Sequence, residues 1–191
     1  MKNLVEPIKS KKEISLIEKE LSKRSIRNQL IWALGINSGL RVSDILALNI
    51  EDVKNKNYIE IKEKKTKKYK RFPLNDKLKK LIKSYLKIRM DKYYSVVEGE
   101  PLFFGKKHKR LGRSQVYRFL NDVCNDLNIK ANIGTHTMRK TFGYFFYQQY
   151  NDVAILQKIL NDVEYVTNDI LEIDKEGKCF NLECKCHRKK K

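Results

Sequence analysis

The sequence predicts a mainly α domain carrying one small antiparallel β-sheet, a hairpin, and three observations lead there. Apolar residues recur at three- and four-residue spacing through most of the 191 positions, the period of helices that bury one face. A single stretch, Asn57-Tyr58-Ile59-Glu60-Ile61-Lys62, alternates polar and apolar instead, as a half-buried strand does. A lysine-rich turn then leads to a second extended stretch, Tyr69 to Pro73, close enough to fold back on the first.

Taken in order, residues 11–22 form an amphipathic helix with Ile14, Ile17 and Leu21 at helical spacing. Residues 24–36 continue as a second helix, largely buried, with Ile26, Leu30, Ile31, Leu34 and the single Trp32. Asn37-Ser38-Gly39 breaks it, because Gly39 can take a positive φ at little cost. A third helix runs from Arg41 to about Ala47, with Ser43 and Asp44 near its start. The hairpin follows, with a basic tip around Lys64 to Lys68. Residues 76–93 form a long basic helix whose apolar face carries Leu78, Leu81, Ile82, Tyr85, Leu86 and Met90. Pro101-Leu102-Phe103-Phe104-Gly105 reads as a buried anchor, and Lys106 to Arg113 as an exposed basic loop. Ser114 suits the N-cap of a helix over 115–127. Gly134-Thr135 open a helix from His136 to about Tyr150, and Asp152 to Leu160 is a short helix. Residues 1–176 read as one domain, with no separate N-terminal domain, and 177–191 as a basic, Cys-rich tail.

Forty-two Lys and Arg against 23 Asp and Glu give a net charge of +19. A surplus this large points to a polyanionic partner, nucleic acid or an anionic membrane surface. No apolar run of membrane-spanning length occurs, and Met1 to Pro7 has none of signal-peptide length, so no membrane partner and a cytoplasmic location are expected. Aromatic residues are 10% of the chain but form no ribonucleoprotein motif. Cys124 sits in an apolar helical stretch and reads as a buried thiol. Cys179, Cys184, Cys186 and His187 crowd into the tail. Their spacing matches no standard zinc finger, so free thiols on a basic tail are the first reading and a zinc site the second.

Two short segments carry the chemistry: Gly39-Leu40-Arg41-Val42-Ser43-Asp44 and His136-Thr137-Met138-Arg139. Each places a guanidinium at or near a helix start. His136 lies three residues before Arg139, one turn away on the same face. Two fixed arginines and a histidine can clamp a phosphate and neutralise charge growing on its oxygens. Singly these residues have plainer readings: a surface arginine, a helix histidine, a solvated lysine turn. Together and in order they resemble the tyrosine recombinase (phage integrase) family over about residues 20–160.

The resemblance implies an integrase-like catalytic-domain fold that breaks and rejoins DNA. It implies that Arg41 and Arg139 hold the scissile phosphate. Lys65, in Lys64-Lys65-Thr66-Lys67, matches the hairpin lysine that protonates the leaving oxygen. His136 matches the first histidine, and Asp44 the acidic residue that supports the first arginine. No cofactor is implied, because attack by a tyrosine stores the phosphodiester energy in a 3′-phosphotyrosyl bond. Double-stranded DNA is the expected partner, on which copies of the chain assemble. Lys64, Lys67, Lys68, Lys107, Arg110, Arg113 and Lys140 are expected to contact its backbone.

The chain departs from the family after Asn161. Aligning Thr167 with the family threonine puts Ile170 at the nucleophile position, and isoleucine cannot attack phosphorus. Asp162 falls near the family's second histidine. The expectation is therefore a DNA-binding member of the family, acting in site-specific recombination or integration, that has lost strand cleavage. The alternative is an active recombinase that uses Tyr165 as a displaced nucleophile.

Overall fold

The computed structural model describes residues 5–62, 67, 69–93, 96–105 and 109–160. Within them the chain is mostly helical, with one two-stranded antiparallel sheet. Helix α1, Lys11–Arg24, starts on Ser10, whose hydroxyl accepts from the Glu13 N–H at 3.3 Å. Ser25 serves two helices. Its N–H donates to Leu21 O at the end of α1, and its hydroxyl accepts from Asn28 N at 3.4 Å at the start of α2, Ile26–Ser38. Helix α2 buries Leu30 to Gly35 without a gap, so it is the central helix of the core rather than an amphipathic cover.

Gly39 ends α2 in the left-handed region, φ 63°, with its N–H on Gly35 O. Helix α3 is shorter than its sequence suggests, Val42–Ile45. Past Ile45 the bonds tighten to three-residue spacing, Ala47 N to Asp44 O and Leu48 N to Ile45 O, and Arg110 caps the carbonyls that follow. Its Nη1 lies 3.0, 2.7 and 3.1 Å from the carbonyl oxygens of Leu46, Ala47 and Leu48.

Strands β1, Tyr58–Lys62, and β2, Tyr69–Pro73, pair in the register Tyr58↔Pro73 to Lys62↔Tyr69. Ile59, Ile61 and Phe72 turn one face of this hairpin to the core. Helix α4, Asp76–Tyr93, buries Leu78, Ile82 and Tyr85 as expected. Met90 is 46% exposed, whereas Arg89 is 3% exposed. Burial of a guanidinium requires hydrogen-bonding partners, and Arg89 has them. Nη1 donates to Pro101 O and Leu102 O, and Nη2 donates to Glu100 Oε2 at 2.8 Å. The 101–105 anchor is thereby tied to α4, with Tyr85 Oη also donating to Leu102 O.

Helix α5, Arg113–Asp126, begins on Gly112 rather than Ser114. The Gln115 side chain reaches back to accept from Gly112 N at 2.9 Å, the reciprocal half of a capping box, and no hydroxyl caps the helix. Helix α6, Thr137–Tyr150, ends on Asn151 at φ 52°, and α7 covers Val153–Leu160. The N-terminal segment returns to α6, where Ile8 N donates to Thr141 Oγ1 at 2.9 Å. Among the described residues, no helix is long and apolar enough to cross a membrane. The tail, including Cys179, Cys184, Cys186 and His187, lies outside the described residues.

Candidate functional site

The close packing of α2 on α6 and α7 positions the two arginine motifs. A Cβ on Gly35 would stand 2.6 Å from Met138 Sδ and 2.7 Å from Met138 Cβ. A Cβ on Gly39 would stand 2.5 Å from Phe142 Cδ1 and 2.9 Å from Leu160 Cδ2. Gly35 and Gly39 are four residues apart, as are Met138 and Phe142, so one row of each helix meets the other. Only missing side chains permit that approach.

Arg139 is 1% exposed and lies between the two motifs. Its Nη1 donates to Gly39 O at 2.6 Å and its Nη2 to Leu160 O at 2.5 Å. Gly39 is two residues before Arg41, so the second arginine motif is hydrogen-bonded directly to the first. Arg41 is the N-cap residue of α3, 9% exposed, and its carbonyl accepts from Asp44 N and Ile45 N. Asp44, one turn further, is 3% exposed. His136 occupies the N-cap position of α6 and is exposed.

The outer residues fall into two groups. Lys67 and Arg113 are exposed and available to an anion. Lys140 is 3% exposed. Arg110 spends its guanidinium on the turn after α3 and on Asn49 Oδ1 at 2.6 Å. Lys64, Lys65, Lys68, Lys107, Tyr165 and Ile170 lie outside the described residues. The outer face of the hairpin joins cations to rings: Arg71 stands 3.5 Å over Tyr58, and Lys62 5.3 Å over Tyr69, which is 78% exposed. Such pairs suit a nucleic-acid surface as well as each other. The hollow bounded by Asp44, Asp52, Glu60 and Lys62 is lined by three carboxylates and one ammonium.

Sequence reasoning passed over Lys70, whose Nζ donates to Ile159 O at the end of α7. The signal was available, because Lys70 falls on the strand face that also carries Phe72.

The described residues thus form an α-helical body with one hairpin, with Arg41 and Arg139 buried near the junction of α2 and α6, and comparison gives the class. The model of the phage integrase family matches residues 9–165, and the chain belongs to that family, the tyrosine recombinases. The matched region ends five residues before Ile170. Over 160 residues the chain is 39% identical to a probable integrase/recombinase, YoeC of Bacillus subtilis, covering 83% of this chain and 84% of that protein. It is 31% identical over 148 residues to the tyrosine recombinase XerC of Thermodesulfovibrio yellowstonii. That alignment covers 75% of this chain and 49% of the relative, so the chain spans about half the length of that recombinase. The fold is also that of the XerH site-specific recombinase bound to a palindromic difH substrate, with a TM-score of 0.73 at 23% identity, covering 92% of this chain and 52% of that one.

Proposed function

We propose that the chain binds duplex DNA and acts in site-specific recombination or integration, in the cytoplasm, assembling with further copies on the DNA. Arg41 and Arg139 hold a backbone phosphate, supported by Lys65 and His136, and the chain forms no covalent bond to it. The observation that carries the reading is the bond from Arg139 to Gly39 O, which holds one guanidinium beside the turn that leads to the other. Donors already held in direction lose little conformational freedom when they bind a phosphate. The net charge of +19 supports a partner with dense negative charge, and the family relationship supports DNA. The loss of cleavage rests on Ile170, whose side chain has no nucleophilic atom.

Two measurements test this. Affinity for a duplex, read by fluorescence anisotropy, should fall by roughly 10³-fold or more between about 50 and 200 mM salt, as several phosphate contacts release counterions. An affinity that ignores salt sinks the DNA reading. A nicked suicide substrate run on a denaturing gel should give no shifted protein–DNA band. A band that vanishes in Tyr165→Phe overturns the loss of cleavage and makes Tyr165 the nucleophile.

A further inference from the structure

Strand β2 breaks its own alternation. Ile59, Ile61 and Phe72 mark the core-facing side of the hairpin, and the register pairs Ile61 with Lys70. Lys70 therefore stands on the apolar side, half-buried, while Tyr69 and Arg71 are exposed. A lysine on such a face departs from the pattern that strands otherwise keep, and breaks of that kind cluster where function outweighs stability. Its ammonium must find an acceptor. It finds Ile159 O, and the next carbonyl, Leu160 O, accepts from Arg139 Nη2. Two cations from distant parts of the chain thus hold two consecutive carbonyls. Both belong to the last described turn of α7.

The two acceptors of Arg139 come from different parts of the chain. Gly39 O sits on a turn packed against Phe142 and Leu160. Leu160 O lies one peptide unit beyond Ile159 O, the acceptor of Lys70 Nζ. Lys70 thus holds the peptide next to the one that Arg139 grips. We propose that Lys70 is a positioning residue for Arg139: by fixing the carbonyl end of α7 it fixes the direction of the Arg139 guanidinium, and it links that guanidinium to the hairpin whose turn carries Lys65. The part of the proposal that concerns DNA rests on the reading that Arg139 contacts a phosphate.

The test has an arm without DNA and an arm with it. Met matches the length of the lysine stem and suits an apolar face, so Lys70→Met keeps the fold, which a melting curve verifies; Lys70→Gln, read in the same way, is the second variant. In nuclear magnetic resonance of the free protein, the Arg139 Nε–Hε cross-peak should move in Lys70→Met and return towards its original place in Lys70→Arg, which keeps a donor. An unmoved cross-peak in Lys70→Met overturns the proposal. With DNA, Lys70→Met should weaken affinity by about ten-fold, the size of one lost charge-assisted hydrogen bond, in the native background. In an Arg139→Ala background it should change affinity less than about two-fold, because partners in one network are not additive. Equal weakening in both backgrounds means that Lys70 contacts phosphate itself, and overturns the proposal. If the unaltered protein binds no DNA at low salt, the proposed function fails, and the cross-peak still decides the role of Lys70.

Discussion

Replacing Gly39 by alanine probes the junction on which both arginine motifs depend. Two separate costs arise. The first is conformational: φ is 63°, and an L side chain in the left-handed region costs about 1–2 kcal/mol. The second is steric. The new Cβ would lie 2.5 Å from Phe142 Cδ1 and 2.9 Å from Leu160 Cδ2, about 1 Å inside an ordinary carbon–carbon contact of roughly 3.5–4.0 Å. Neither neighbour can simply swing away, since Leu160 is fully buried and Phe142 packs on Phe146 at 5.9 Å. Overpacking of this kind costs about 1–3 kcal/mol. Against these, the stiffer unfolded chain returns about 0.4–1 kcal/mol. The net loss is about 1–4.5 kcal/mol, and at roughly 2–4 °C per kcal/mol for a chain of this size Tm falls by about 2–18 °C. Gly99 provides the control: its φ is also positive, 83°, but a Cβ there meets nothing within 4 Å. Gly99→Ala therefore carries the conformational cost alone, and the difference between the two melting curves isolates the packing at the junction. DNA affinity should fall with Gly39→Ala and not with Gly99→Ala, because Gly39 also supplies an acceptor of Arg139. If both variants melt together, the close approach of α2 to α6 and α7 is not what holds the site.

The two arginines at the start of α5 should separate by salt dependence. Arg110→Met, which leaves the carbonyls of Leu46, Ala47 and Leu48 without their donor, should cost about 1–3 kcal/mol of stability in urea titration and leave the salt slope of DNA binding unchanged. Arg113→Ala, at an exposed position, should leave stability unchanged and lower that slope by about 1; the reverse pattern would refute both assignments. Cys124 is held inert. Burial first, then the nearby Glu13 carboxylate, push its thiol up to about 11 from 9.0. With the folded value raised, the thiol ionises first in the unfolded chain, so its contribution to stability is complete below about pH 9 and is lost as pH rises towards 11. The stability advantage of the native protein over Cys124→Ala should shrink across that window. Peptide mapping after thiol labelling at pH 8 should find Cys124 unmodified in the folded state.

Local pattern was enough for much of this protein. The helix periods, the alternation over β1 and the αL glycine after α2 depend on interactions within a few residues, and a sequence displays those directly. The spacing of Gly39 to Arg41 and of His136 to Arg139 was legible for the same reason, and with it the family. The shifts at helix ends have nearby causes too, although one comes from a distant partner. Gly112 displaces Ser114 at the start of α5, where the Gln115 side chain folds back on Gly112 N, whereas the carbonyls after α3 are capped by Arg110, 64 positions along the chain from Leu46. Only tertiary structure decided that Arg89 and not Met90 is buried, since carbonyls of the 101–102 segment satisfy its guanidinium. It also brought Arg110 to the carbonyls of Leu46, Ala47 and Leu48, and Lys70 and Arg139 to consecutive carbonyls of α7. A basic side chain reads the same in a sequence whether it faces phosphate, solvent or a backbone carbonyl; which one it meets is set by the packing of helices far apart in the chain.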